Sequence, residues 1–110
     1  MGKFVISKRT NGEFQFNLKA DNGEIILSSE GYGAKGGCIN GIESVRKNAL
    51  DDSRYERKMS TNGKPYFVLK AGNGEIIGAS EMYENEAGMQ NGILSVKRNG
   101  PAAMLEDTTM

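Results

Sequence analysis

The sequence predicts an α+β domain in which two copies of one unit, a three-stranded meander followed by a helix, share a single core. Three observations carry that expectation. The chain repeats itself at an offset of 51 positions; each copy alternates apolar and polar residues around an Asn-Gly pair; each copy then changes to a helical spacing.

The repeat is read without a gap. TNGEFQFNLKADNGEIILSSEGY from Thr10 falls on TNGKPYFVLKAGNGEIIGASEMY from Thr61, and CINGIESVRKN from Cys38 falls on MQNGILSVKRN from Met89. From Thr10–Asn48 against Thr61–Asn99, about 22 of 39 positions are identical, which marks a duplication. The join, NALDDSRYERKMSTNG, is a loop followed by a strand and contains no Pro- or Ser-rich linker. Residues 1–110 therefore read as one domain, with repeats of about 1–53 and 54–107.

Taken in order, KFVISK predicts a first strand at 3–8. FQFNLKA alternates, putting Phe14, Phe16, Leu18 and Ala20 on one face, and gives a second strand at 14–20. EIILSS gives the third, at 24–29. Asn22-Gly23 between them, like Asn73-Gly74 in the second copy, suggests a type I′ hairpin turn. Ala34, Cys38, Gly41, Ile42, Val45 and Ala49 then make a helical stripe, predicting a helix at 34–48. The second copy gives strands at 54–59, 65–71 and 75–80, a helix at 85–98 and a short last strand at 102–107. The helices are expected on the face that holds Phe14, Phe16, Leu18, Phe67 and Leu69. Gly41 and Gly92 cost helix stability, so their place on the apolar stripe suggests close approach to the sheet. Arg46-Lys47 and Lys97-Arg98 answer the helix dipole, and Asn48 and Asn99 read as left-handed stops.

Composition limits the chemistry. Lys+Arg and Asp+Glu are equal at 14 each, which removes the charge signature of a general nucleic-acid or membrane-surface binder. The chain has no His, hence no imidazole base or metal ligand, and one Cys, hence no internal disulfide or cysteine metal cluster. No secretory signal or apolar membrane span is read, and the unpaired thiol suits a cytoplasmic protein.

Gly31, Gly33 and Gly36 form a GxGxxG pattern, but a dinucleotide site needs a parallel βαβ crossover, and tight hairpins make these strands antiparallel. Cys38, replaced by Met89 in the other copy, reads as a small buried hydrophobe. Glu84 and Glu86 are placed at the first turn of the second helix, where acids favour the dipole. No catalytic residue, cofactor or metal is assigned, and the chain is not read as an enzyme.

Several residues are identical in both copies without an evident folding reason: Lys19/Lys70, Glu30/Glu81, Tyr32/Tyr83, Asn40/Asn91 and Ser44/Ser95. They define either two equivalent sites or two sets of local staples, and the tyrosines are better read as staples at the helix starts.

The motifs F-x-F-x-L-K-A-x-N-G-E-x-I, S-E-x-Y and N-G-I-x-S-V-[RK]-x-N, duplicated, resemble the YegP-like family: small bacterial proteins built on a domain of unknown function. The resemblance implies a tandem repeat of β(3)-α-β units in a single antiparallel sheet, with two helices on one face and exchanged C-terminal strands. It carries over no functional residue. The expected function is a small non-catalytic binding or interaction module; the alternative is a weak single-stranded nucleic-acid binder that uses the open sheet face. The candidate surface is Lys19, Lys70, Tyr66 and Val68, on a monomer with a modest apolar patch around Tyr66 and Val68.

Overall fold

The computed structural model describes residues 2–110. Its strands are β1 (Lys3–Lys8), β2 (Phe14–Lys19), β3 (Ile25–Ser29), β4 (Tyr55–Met59), β5 (Pro65–Lys70), β6 (Ile76–Ala79) and β7 (Met104–Asp107). The helices are α1 (Lys35–Asn48) and α2 (Glu86–Asn99). These match the expected elements to within one or two residues. The last strand starts later because Gly100–Ala102, with Pro101 inside it, forms a 3-10 turn.

Each hairpin turns through three residues rather than two. In the β2–β3 turn the Ala20 N–H donates to the Glu24 carbonyl and the Gly23 N–H to the Ala20 carbonyl, each at 2.9 Å. Among the described residues only glycines take positive φ, namely Gly12, Gly23, Gly63 and Gly74. The expected type I′ turn is therefore corrected, since it needs positive φ at Asn as well. The geometry is instead that of a type I turn closed by a left-handed glycine. Asn22 and Asn73 hold it by accepting from the N–H groups of Glu24 and Glu75 at 3.0 Å.

The strands form one seven-stranded sheet in the order β4-β5-β6-β3-β2-β1-β7. The two meanders meet where β3 pairs antiparallel with β6, so the sheet runs unbroken through both repeats. The exchange of closing strands is present: β7 follows the second repeat's helix but pairs with β1 of the first. It does so in parallel, which makes the sheet mixed rather than purely antiparallel. A short strand with little apolar pattern gives no sequence signal for its direction.

Both helices lie on one face. Phe4, Phe16, Leu18, Leu27, Phe67 and Leu69 are buried beneath Ile42, Val45, Ile93 and Val96 in a single cluster. The aromatic packing is duplicated with the sequence: Phe4 meets Phe16 edge-on at 5.8 Å, and Tyr55 meets Phe67 at 5.7 Å. Arg46 covers the Phe4 ring and Lys97 the Tyr55 ring, so the first cation of each basic pair is spent on an aromatic face. Tyr55 also donates its hydroxyl to the Ala49 carbonyl at 2.6 Å, and burial raises its phenol pKa.

Asn48 and Asn99 are not left-handed stops. Both are the last residues of right-handed helix, and their side-chain amides donate back to the Ser44 and Ser95 carbonyls at 2.8 and 2.9 Å. Glu86 lies in the first turn of α2, but Glu84 precedes the helix and pairs with Lys64 at 3.0 Å.

At the seam the duplication is broken. Leu27 in β3 and Gly78 in β6 are aligned positions. A Cβ on Gly78 would lie 2.9 Å from Leu27 Cγ and 3.0 Å from the Ser28 carbonyl oxygen. One repeat supplies the leucine and the other the room for it.

Candidate functional site

On the face opposite the helices, a groove of about 740 Å³ crosses the seam. β3 contributes Ser28, β5 contributes Tyr66 and Val68, β4 contributes Lys58, and the β1–β2 turn contributes Arg9. Alternation places these side chains outward because Phe16, Phe67 and Leu69 point toward the helices. Val68 is only 4% exposed, so it forms the floor of the groove rather than an open apolar patch. Tyr66 is half-buried beside it.

Of the four expected surface residues, the structure brings together Tyr66 and Val68 and separates the lysines. Lys70 is bound by Glu56, whose carboxylate is held below its usual range first by that hydrogen bond. Lys19 lines a different depression with Val5, Asn22 and Glu106. Three strand spacings and about five residues along the strands put the two lysines on the order of 20 Å apart.

The repeat-identical residues resolve mostly into structure. Tyr32 and Tyr83 stack on Phe16 and Phe67 at 6.5 and 6.4 Å. A Cβ on Gly41 would fall on the Tyr32 hydroxyl, and one on Gly92 on the Tyr83 hydroxyl. The helical glycines thus chiefly make room for tyrosines, a refinement of the close approach to the sheet expected from sequence. Ser44 and Ser95 receive the Asn48 and Asn99 amides. Tyr32, Asn40 and Ser44 also share a cleft of about 250 Å³ with the second repeat's Asn73 and Glu75. Glu30 and Glu81 differ: they line the large groove, and neither has an ion-pair partner among the described residues.

Cys38 is buried, and burial pushes its thiol pKa up, the opposite of an activated nucleophile. Gly31, Gly33 and Gly36 follow β3, whose neighbours β2 and β6 are both antiparallel to it, so they form no dinucleotide crossover. Among the described residues no group of three or more acidic, Cys or His side chains is placed to hold a metal ion. None of their helices is long and apolar enough to cross a membrane.

Two meanders joined edge to edge, two helices on one face and a last strand returned to the first repeat define a tandem β(3)-α-β protein. The chain belongs to the family of the Domain of unknown function (DUF1508), whose model matches residues 10–56 and 60–107. It is 49% identical over 110 residues to the UPF0339 protein YegP of Yersinia pestis, covering 100% of this chain and 98% of that one. It is 55% identical over 102 residues to a UPF0339 protein in the ptx operon 5' region of Stutzerimonas stutzeri, covering 93% and 92%. The solution NMR structure of yegP from E. coli superposes with a TM-score of 0.93 at 48% identity, over 97% of this chain and 92% of that one. That of the UPF0339 protein from Shewanella oneidensis gives 0.91 at 49%, over 96% and 90%.

Proposed function

We infer that the protein is a non-catalytic binding module that receives an extended protein segment in the groove on its helix-free face. The observation that supports this reading is the groove itself: it is open, spans both repeats, and has a Tyr66–Val68 floor with polar walls. Its charges disfavour a phosphate backbone, because Glu13, Glu30 and Glu81 line it against Arg9 and Lys58. The separation of Lys19 from Lys70 weakens the single-stranded nucleic-acid alternative further, since no basic track connects them. An enzymatic role is not proposed, because the groove pairs no nucleophile with a base. The protein is taken to work as a monomer in the cytoplasm; its two repeats complete one core within one chain.

Capture from native lysate, with and without nuclease, tests the reading. Wild type should retain a protein partner after nuclease treatment, and Ser28→Arg, which fills the groove, should lose it. Nuclease-sensitive capture, or retention by Ser28→Arg, would overturn it. Light scattering over a range of concentrations should give a monomer mass.

A further inference from the structure

The two ends of the sheet are related by the duplication but are finished differently. At one end β7 lies along β1, with Phe4 beside Leu105 and Ile6 beside Asp107. The Thr108 N–H and hydroxyl both donate to the Ile6 carbonyl, at 3.0 and 2.7 Å. Asp107 pairs with Lys35 at the start of α1 at 2.8 Å, and its charge acts on Cys38. At the other end β4 pairs only with β5, and no strand among the described residues lies along its outer side.

The register shows that the two ends correspond. Ile6 opposes Phe16 as Arg57 opposes Phe67, each pair displaced by the repeat offset. The Arg57 carbonyl therefore faces outward as the Ile6 carbonyl does. Beside it is a groove of about 490 Å³ lined by Arg57, Met59, Glu86 and Met89, with Met59 58% exposed. Arg57 and Glu86 are the counterparts of Ile6 and Lys35, on which Asp107 and Thr108 are seated, and Met89 is the counterpart of the buried Cys38. This groove is the bare twin of the site that β7 fills.

We propose that the β4 edge and its groove bind an extended segment of another protein, added in parallel to β4 as β7 is added to β1, with a Lys or Arg at the position of Asp107. The charge requirement follows from one inversion. Lys35, which receives Asp107, is replaced by Glu86, which has no ion-pair partner among the described residues. The neighbouring cations are already engaged: Arg57 by Asp52, Lys64 by Glu84, and Lys58 by Glu56. A second copy offering its own β7 would set Asp107 against Glu86, so the occupant is a segment of different sequence.

Two synthetic peptides test this by titration into the isotope-labelled full chain: residues 102–110 as they stand, and the same peptide with Asp107→Lys. The Lys peptide should shift the amide resonances of Arg57, Met59 and Met89, and bind about two- to five-fold more tightly than the native peptide. Glu86→Lys should reverse that order; Lys35 at the equivalent position shows that the fold accepts a lysine there. Overturning results are no shift at β4 up to about 1 mM peptide, the same order of affinity in both proteins, or tighter native-peptide binding to wild type, which would assign the edge to a second copy. Shifts confined to Ser28, Tyr66 and Ala79 would place the peptide in the seam groove and also overturn the edge site, while leaving the proposed function standing.

Discussion

The interior of each repeat and the seam between them have kept the duplication to different degrees. Inside the repeats one set of contacts is copied closely: Phe16 with Tyr32, Phe67 with Tyr83, a glycine under each phenol, an asparagine folded back on each serine. At the seam, Leu27 faces Gly78. A repeat interior must satisfy only itself, whereas two equivalent positions close to an approximate two-fold axis compete for the same space. Duplication in one chain lets them differ, and here one is large and the other has no side chain.

The strongest test of the copied interiors is Phe16→Ala against Phe67→Ala. Both rings are fully buried, so each truncation should cost about 3–5 kcal/mol in urea unfolding. Equal costs with one shared transition would confirm a common core; two separate transitions would break the comparison.

Next is the seam. Gly78→Leu should cost about 1–3 kcal/mol by overpacking against Leu27, and the exchange Leu27→Gly with Gly78→Leu should recover much of it. No recovery would mean that the two positions are not interchangeable across the axis.

Gly92→Ala sharpens the interior half of the comparison. The added methyl falls on the Tyr83 hydroxyl, so the usual gain of about 1 kcal/mol for Ala over helical Gly should turn into a loss. In a Tyr83→Phe background part of that loss should return, measured as the shift in melting temperature. Gly41→Ala with Tyr32→Phe should behave alike.

The smallest expected effect separates the two sheet ends. The Lys35 hydrogen bond, helped by Thr109, holds the Asp107 carboxyl down at about 2. A carboxyl depressed on folding stabilises the native state above its ordinary value of about 4 and loses that contribution as the pH falls toward 2. Protection of the Met104 and Thr108 amides, measured against the exchange of the unfolded chain at the same pH, should therefore fall over that interval while protection in β5 does not. Lys35→Met should narrow the interval by raising the Asp107 value.

Much of this was legible in the residues because the signals were local. FQFNLKA could alternate only as a strand, and Cys38, Ile42 and Val45 could share a face only on a helix. The turn type was missed because it depends on how many residues lie between the last ladder pairs, which the Asn-Gly pair alone does not fix. Asn48 and Asn99 were misread because a serine four residues earlier offered the amide a partner inside the helix. Alternation along β5 puts Tyr66 and Val68 opposite Phe67 and Leu69, but the burial of Val68 depends on neighbouring strands distant in sequence. The separation of Lys19 from Lys70 depends on the β3–β6 pairing, which no single repeat encodes.

The parallel β7 also bears on how the chain emerges from a ribosome. Lys3 and its partner Glu106 are 103 positions apart, so β1 is made long before the strand that covers it. At about 5–20 residues per second, the β1 edge waits roughly 5–20 s for its cover. During that interval the first repeat has a bare outer strand, whose Phe4 and Ile6 backbone groups are free to pair with any extended chain nearby. Sealing that edge must wait for β7, and until then the nascent sheet is open at both ends.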